Sequence, residues 1–389
     1  MKGRINNQFA IDGTHVDDRL LKPKKWAVEF AHHVEYDRRI NNQEELRKVN
    51  KNVKKFAFDV DGTLVDDHFK LNKGVVEFIY HILKNDEIND TKSQFMICTG
   101  ASYAKANKVI KMINEEIAEK FDGKVAEFKP DITCYGGSLV VKDGQIIRDR
   151  RIDRNHFNEI ASIVRRIDEN AIILLNMEDG MHFIKPKTIS KDKVKIKVLQ
   201  LLQSTKGEGG FTTIGEEKGD YHWLINKNDV YSLEILSLSS TKNKQITKEL
   251  SELVVGVTIS AGTTIQVSNG SKLKAIKSCM GKDTSNLLYV GDGYNDIPAM
   301  QEAGISFALG NKVKVLESAD FAVEDFDDIY NAFNNNDYSL IKNKSESVLK
   351  GAKEAEEKKR AKKERGTINN AIYSVKEKLH SKKDEEREM

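Results

Sequence analysis

The sequence predicts an α/β fold, a doubly wound parallel sheet with a second, α+β module inserted into it. Three observations predict it. Before residue 138, short apolar runs alternate with stretches of helical periodicity, the order that builds a parallel sheet covered on both faces. Between residues 138 and 254 the alternation gives way to short strands separated by turn signals. After residue 254 it resumes and continues to about residue 330. A chain of 389 residues has room for both modules and for extensions.

The elements follow in order. Phe56-Ala57-Phe58-Asp59-Val60 is apolar, flanked by lysines and broken by Asp61-Gly62, which reads as a buried strand running into a turn. Val75, Val76, Phe78, Ile79, Ile82 and Leu83 recur at helical spacing. Gln94–Cys98 is a second buried strand ending at Thr99-Gly100, residues 102–120 read as helix, and Ile132–Tyr135 is a third strand ending at Gly136-Gly137. Apolar runs on both sides of Asp143-Gly144 signal a hairpin, which opens the inserted module. Within that module, Glu178-Asp179-Gly180 and Asn226-Lys227-Asn228-Asp229 read as turns, and residues 154–168, 190–203 and 241–253 as helices. Ser285–Val290 returns to the first pattern. The expected organisation is an extension at 1–50, a core from 51–137 and 255–341, the inserted module at 138–254, and a charged tail at 342–389, helical or disordered.

Charge narrows the function classes. The formal net charge is +3. The tail from Lys342 holds 15 basic and 10 acidic residues, leaving 48 and 50 elsewhere, so the globular part has no basic surplus that implies nucleic acid. No apolar run reaches the length of a membrane span, and residues 1–7 have no apolar signal region. The three cysteines, Cys98, Cys134 and Cys279, form neither a disulfide framework nor a metal-ligand spacing. Together these features predict a cytoplasmic protein. In the tail, Ile368, Ile372, Val375 and Leu379 make a heptad-like stripe too short for a coiled coil. The histidines His32, His33, His156, His182 and His222 lack zinc spacing, and Tyr221 and Trp223 read as core packing.

Four elements carry chemistry. Asp59-Val60-Asp61-Gly62-Thr63 stands at the carboxyl end of a buried strand, the edge where open α/β sheets place their sites. Tyr289-Val290-Gly291-Asp292-Gly293-Tyr294-Asn295-Asp296 also follows an apolar strand, and its two acidic residues and one asparagine suit a hard cation. Thr99 ends a third strand, where a hydroxyl and free N–H groups can hold a phosphate oxygen or cap a helix. Asn269-Gly270-Ser271-Lys272-Leu273-Lys274 offers a lysine to offset carboxylate and phosphate charge, with Lys274 or Lys277 as alternatives to Lys272.

In this order the four elements resemble the haloacid dehalogenase superfamily, over residues 53–137 and 255–330. The position of the inserted module, between Thr99 and Lys272, resembles the type IIB-capped (Cof-like) phosphatases, as does Gly304–Asn311 followed by Ala319-Asp320. The resemblance implies a Rossmann-like core and a cap that selects a small phosphorylated substrate, a sugar phosphate or similar. It implies a phosphoric monoester hydrolase acting through an aspartyl-phosphate, with Asp59 as nucleophile and Asp61 as general acid and then base. Thr99 and Lys272 would hold phosphoryl oxygens. Mg²⁺ would bind Asp59, the Asp61 carbonyl and Asp292, with Asn295 and Asp296 as ligands or supports. A phosphosugar mutase, or a phosphatase tethered to nucleic acid by the basic tail, is the alternative. A pure binding protein would have no need of carboxylates at 59, 61, 292 and 296. Two departures stand out. Ala101 occupies a position where relatives commonly carry arginine, and Asp12–Asp18 echoes Asp61–Asp67 with Ala10 in the place of the nucleophile.

Overall fold

The computed structural model describes residues 53–121, 125–178, 180–185, 211–215, 230–237, 239–253, 258–261, 265–335, 338–339 and 341–361. Its strands are β1 (Lys55–Phe58), β2 (Gln94–Cys98), β3 (Asp131–Cys134), β4 (Leu139–Lys142), β5 (Gln145–Asp149), β6 (Ile172–Met177) and β7 (Gly180–Lys185). They continue with β8 (Phe211–Gly215), β9 (Val230–Leu236), β10 (Thr258–Ala261), β11 (Ile265–Ser268), β12 (Leu287–Gly291), β13 (Ile305–Ala308) and β14 (Phe321–Ala322). One sheet has the order β14-β13-β12-β1-β2-β3-β4-β5 and is parallel from β14 to β3.

That sheet is covered on both faces because its central strands are apolar over Phe56–Phe58, Phe95–Cys98 and Leu287–Val290. Phe56 and Phe58 pack with Phe78, Ile113 and Phe326 of the helices on one side. Ala57, between them, packs with Leu273 and Ile276 of the helix Lys272–Met280 on the other. The sequence therefore predicts the doubly wound core correctly, including the helices Val75–Asn89 and Tyr103–Lys120. Cys98, Cys134 and Cys279 are free thiols buried in this packing.

A second sheet, β10-β11-β9-β6-β7-β8, is antiparallel except where β7 and β8 run parallel. The helices Arg154–Ile167 and Ser240–Leu253 lie on one of its faces and share its core. Both borders expected for this module shift. The hairpin β4–β5 joins the large sheet, with Ile132 opposite Val141, so it extends the core. At the other end β10 and β11 pair with the cap strand β9, so the core does not resume at residue 255. The Asp143-Gly144 turn specifies a hairpin but not the sheet edge on which it docks.

The charged tail expected from residue 342 also begins later. Residues 341–361 are helical, and Ala352 is buried with Val348 and Leu349 packed beside it. The Ala322 amide of edge strand β14 donates to Ser345 Oγ at 2.7 Å, so the helix covers part of an otherwise open sheet edge. Lys344 pairs with Glu324 and Asp328, and Lys353 with Glu317. Truncation after residue 341 is expected to destabilise the fold by about 3 kcal/mol, from lost apolar burial and the lost edge bond. Urea unfolding of the shortened chain measures it. Residues 1–50, the predicted helix at 190–203, the turn at 226–229, His32, His33, His222, Tyr221, Trp223 and the stripe from Ile368 to Leu379 lie outside the described residues.

Candidate active site

Strand order brings the motifs together. β1 lies between β12 and β2, all parallel, so the residues after their carboxyl ends (Asp59, Asp292 and Thr99) share one edge. The Asp59 amide donates to Val290 O at 2.9 Å, tying the Asp59 turn to β12. Gly62 takes φ 79°, and a Cβ there would come within 2.7 Å of the Asp292 carboxylate. Glycine thus lets the first motif lie against the fourth. Lys272 is placed by a backbone crossing, where a Cβ on Gly270 would stand 2.0 Å from the Gly137 carbonyl carbon. No side chain fits there, so the cap's two connections pass in contact and the helix carrying Lys272 starts beneath the carboxylates.

The Lys272 ammonium donates to Asp59 Oδ1 at 2.6 Å and to Asp296 Oδ1 at 2.7 Å. Lys272, Asp59 and Asp296 are all buried. Asp296 Oδ1 also accepts from the Tyr289 hydroxyl at 2.6 Å, and its Oδ2 accepts from the amides of Asp292 and Gly293. Asp296 is therefore fully engaged as a brace. Lys312 donates to Asp292 Oδ2 at 2.8 Å and to the Asp292 carbonyl at 3.0 Å. Among the described residues, Asp59, Asp292 and Asp296 each offer a ligand atom within 4.8 Å of the others.

Electrostatics follow from that crowding. Burial, then the charge of Asp296, pushes the Asp59 pKa well above the usual carboxylate range, against the opposing pull of Lys272. Burial also raises Asp292, with Lys312 pulling the other way. Burial works against the Lys272 ammonium, but the charges of Asp296 and Asp59 outweigh it and raise its pKa. Buried carboxylates side by side, with oxygen donors only, fit a hard divalent cation, whose charge would relieve their repulsion.

The remaining expected residues separate. Thr99 is buried, and its Oγ1 accepts from the Ala101 amide at 2.9 Å, while Ser102 caps the following helix. The Asp61 carboxylate is half exposed and pairs with Lys105 Nζ at 2.6 Å. The Asn295 amide donates to Gln266 Oε1 of the cap at 3.4 Å. Lys274 is exposed and Lys277 pairs with Glu302, so Lys272 is the lysine among the carboxylates.

Comparison with known proteins identifies the family. The profile of the haloacid dehalogenase-like hydrolase family matches residues 56–332. This chain belongs to that family. YxeH of Bacillus subtilis strain 168, provisionally named a phosphatase, is 22% identical over 279 residues, 69% of this chain and 92% of its own. The 5-amino-6-(5-phospho-D-ribitylamino)uracil phosphatase YbjI of Escherichia coli K12 is 24% identical over 275 residues, 67% of this chain and 86% of its own. The subclass IIB sugar phosphatase BT4131 has the same fold, with a TM-score of 0.54 at 17% identity over 73% of this chain and 98% of its own.

In this haloacid dehalogenase-like hydrolase, four further residues for which no role was expected reach the site. They are Tyr289, Lys312, Lys105 and Gln266. Tyr289 left the clearest trace, a hydroxyl inside an apolar run. Lys312 directly follows the Gly304–Asn311 stretch. Tyr289→Phe is expected to cost about 2 kcal/mol, because it removes a buried hydrogen bond to a charged carboxylate. Chemical unfolding of the variant against the native protein measures it.

Proposed function

We propose that the protein is a Mg²⁺-dependent phosphatase that hydrolyses a small phosphorylated metabolite through an aspartyl-phosphate. The observation that carries this reading is the buried Lys272 ammonium holding Asp59 and Asp296 beside Asp292. Such a cluster aims a carboxylate at an incoming group while supplying the positive charge that a phosphate dianion needs. The phosphatase names of YxeH and YbjI support the same reaction class.

Asp59, Asp292 and the Asp61 backbone carbonyl would hold the cation, braced by Asp296 and Asn295. Its chemistry there is charge neutralisation of the phosphoryl oxygens and of the facing carboxylates. A carboxylate oxygen of Asp59 attacks phosphorus, and the ester P–O bond breaks. Asp61 gives its proton to the departing oxygen. It then takes a proton from water, whose oxygen attacks phosphorus and breaks the bond to Asp59, releasing inorganic phosphate. Lys272 and Thr99 hold the transferring oxygens throughout. Phosphate release from a panel of phosphorylated metabolites, with Mg²⁺ and with chelator, tests the proposal. Release that requires Mg²⁺ supports it, and silence across the panel with Mg²⁺ present overturns it.

A further inference from the structure

The Asp61 carboxylate is held by a lysine outside the four motifs. Asp61 lies in the loop 59–72, which closes through its own backbone. The Gly62 amide donates to Val65 O at 2.8 Å, the Val65 amide to Val60 O at 3.0 Å and the Asn72 amide to Leu64 O at 2.9 Å. Those bonds set the course of the chain but not the direction of the Asp61 side chain, which is 49% exposed and has several staggered rotamers open to it. The group that meets it comes from another element. Lys105 Nζ stands 2.6 Å from Asp61 Oδ1 and 5.7 Å from the ring centroid of Phe69, a second residue of the same loop.

The start of the helix Tyr103–Lys120 sets this reach. Gly100-Ala101-Ser102, between Thr99 and that helix, has no basic side chain. Ser102 Oγ accepts from the Lys105 amide at 3.1 Å, so the lysine backbone is pinned in the first turn, beside the Thr99 loop. Its side chain is only 1% exposed. An ammonium so far from water is costly unless a carboxylate offsets it, and a packed stem gives it few places to go. The charge therefore acts as a fixed point that holds Oδ1, leaving Oδ2 to carry a proton. The two buried lysines divide the first motif between them, with Lys272 on Asp59 and Lys105 on Asp61.

We propose that Lys105 is the positioning residue of the general acid: it aims the Asp61 carboxyl at the leaving-group oxygen, and its contribution grows with the basicity of that oxygen. The inference rests on the phosphatase reading above and adds the group that directs its acid. As an Asp59 oxygen bonds to phosphorus and the ester P–O bond breaks, the electron pair of that bond stays on the departing oxygen. An alkoxide needs the Asp61 proton at that moment, whereas a nitrophenolate leaves as the anion. A misdirected acid therefore slows the first far more than the second.

Benzyl phosphate and p-nitrophenyl phosphate have leaving groups of similar size and different need for a proton, and kcat/KM covers the step that expels them. In Lys105→Met the benzyl-to-nitrophenyl ratio of kcat/KM should fall about tenfold, part of the ~10²–10⁴ that a general acid supplies. The ratio is independent of the fraction of protein that is folded, so a destabilised variant still reports it. In the Asp61→Asn background the same lysine substitution should leave the ratio where it is, because the group that Lys105 aims is already gone. Equal losses on both esters would make Lys105 a structural lysine, and a ratio that still falls in the Asp61→Asn background would mean that it acts without Asp61. Either result overturns the proposal while leaving the phosphatase reading intact. A native chain silent on both esters with Mg²⁺ present overturns that reading and the proposal with it.

Discussion

Asp59→Asn is expected to lower phosphate release at least ~10³-fold while leaving the folded protein more stable when no metal is added. The amide keeps the shape, and its oxygen can still accept from Lys272, but it is too weak a nucleophile to attack phosphorus. The stability gain follows from the charges. Asp59, Asp292 and Asp296 face Lys272 and Lys312, three carboxylates against two ammonium groups. Burial and Asp296 hold the Asp59 pKa well above its ordinary value. A carboxylate raised in this way stabilises the fold below its unfolded pKa, and that contribution is lost as pH rises through the folded pKa. At neutral pH the native chain therefore has the penalty and the asparagine variant does not. The expected gain is about 1 kcal/mol without metal, and saturating Mg²⁺ should narrow or reverse it. Thermal unfolding of both proteins with chelator and with Mg²⁺ reads the effect, and an inactive variant less stable under both conditions would contradict it.

Lys272→Met is expected to lose both activity and stability. The native ammonium is buried and bonded to two carboxylates, and methionine fills a similar volume without the charge. Removing one member of a buried ionic cluster leaves the others uncompensated, at a cost of about 3–5 kcal/mol. Activity should fall by about 10²–10³, the effect of losing a preorganised charge at the transferring group. The sign with pH is that of any carboxylate–ammonium pair, because the lysine matters only while the carboxylate is ionised. Without Lys272 the Asp59 pKa moves further in the direction that burial already drives it. The stability deficit of the variant should thus grow as pH rises above the unfolded carboxylate range and shrink on acidification. Urea unfolding across that range, with the native chain in parallel, measures it. A deficit independent of pH would point to lost packing alone.

Several parts of the fold and site are legible in the chain because they are local. β1 and β2 announce themselves as short apolar runs, and Asp59, Asp61, Thr99 and Asp292 follow strand ends where an α/β sheet exposes its site. Gly62 and Gly270 are visible as glycines, but their purpose is a contact with a segment more than 130 residues away. Lys312, Lys105 and Gln266 have ordinary sequence surroundings, Tyr289 opens the run that ends at Asp296, and only packing makes the four partners of the carboxylates or their loops. The β4–β5 hairpin and the helix at 341–361 were hard to place for a related reason. A turn signal states that two strands pair, and a charge-rich run hides three apolar residues on one face. Neither says which surface receives the element.

The sequence by itself determined the α/β core, the interruption by a second module and the chemical types gathered for phosphoryl transfer, because strand length, helical period and turn residues act over a few neighbours. The tertiary structure alone decided which sheet each border strand joins, which lysine joins the carboxylates and which cap side chain touches the loops beside Asp59. Those outcomes depend on strand order and on contacts between distant segments, which no local pattern encodes.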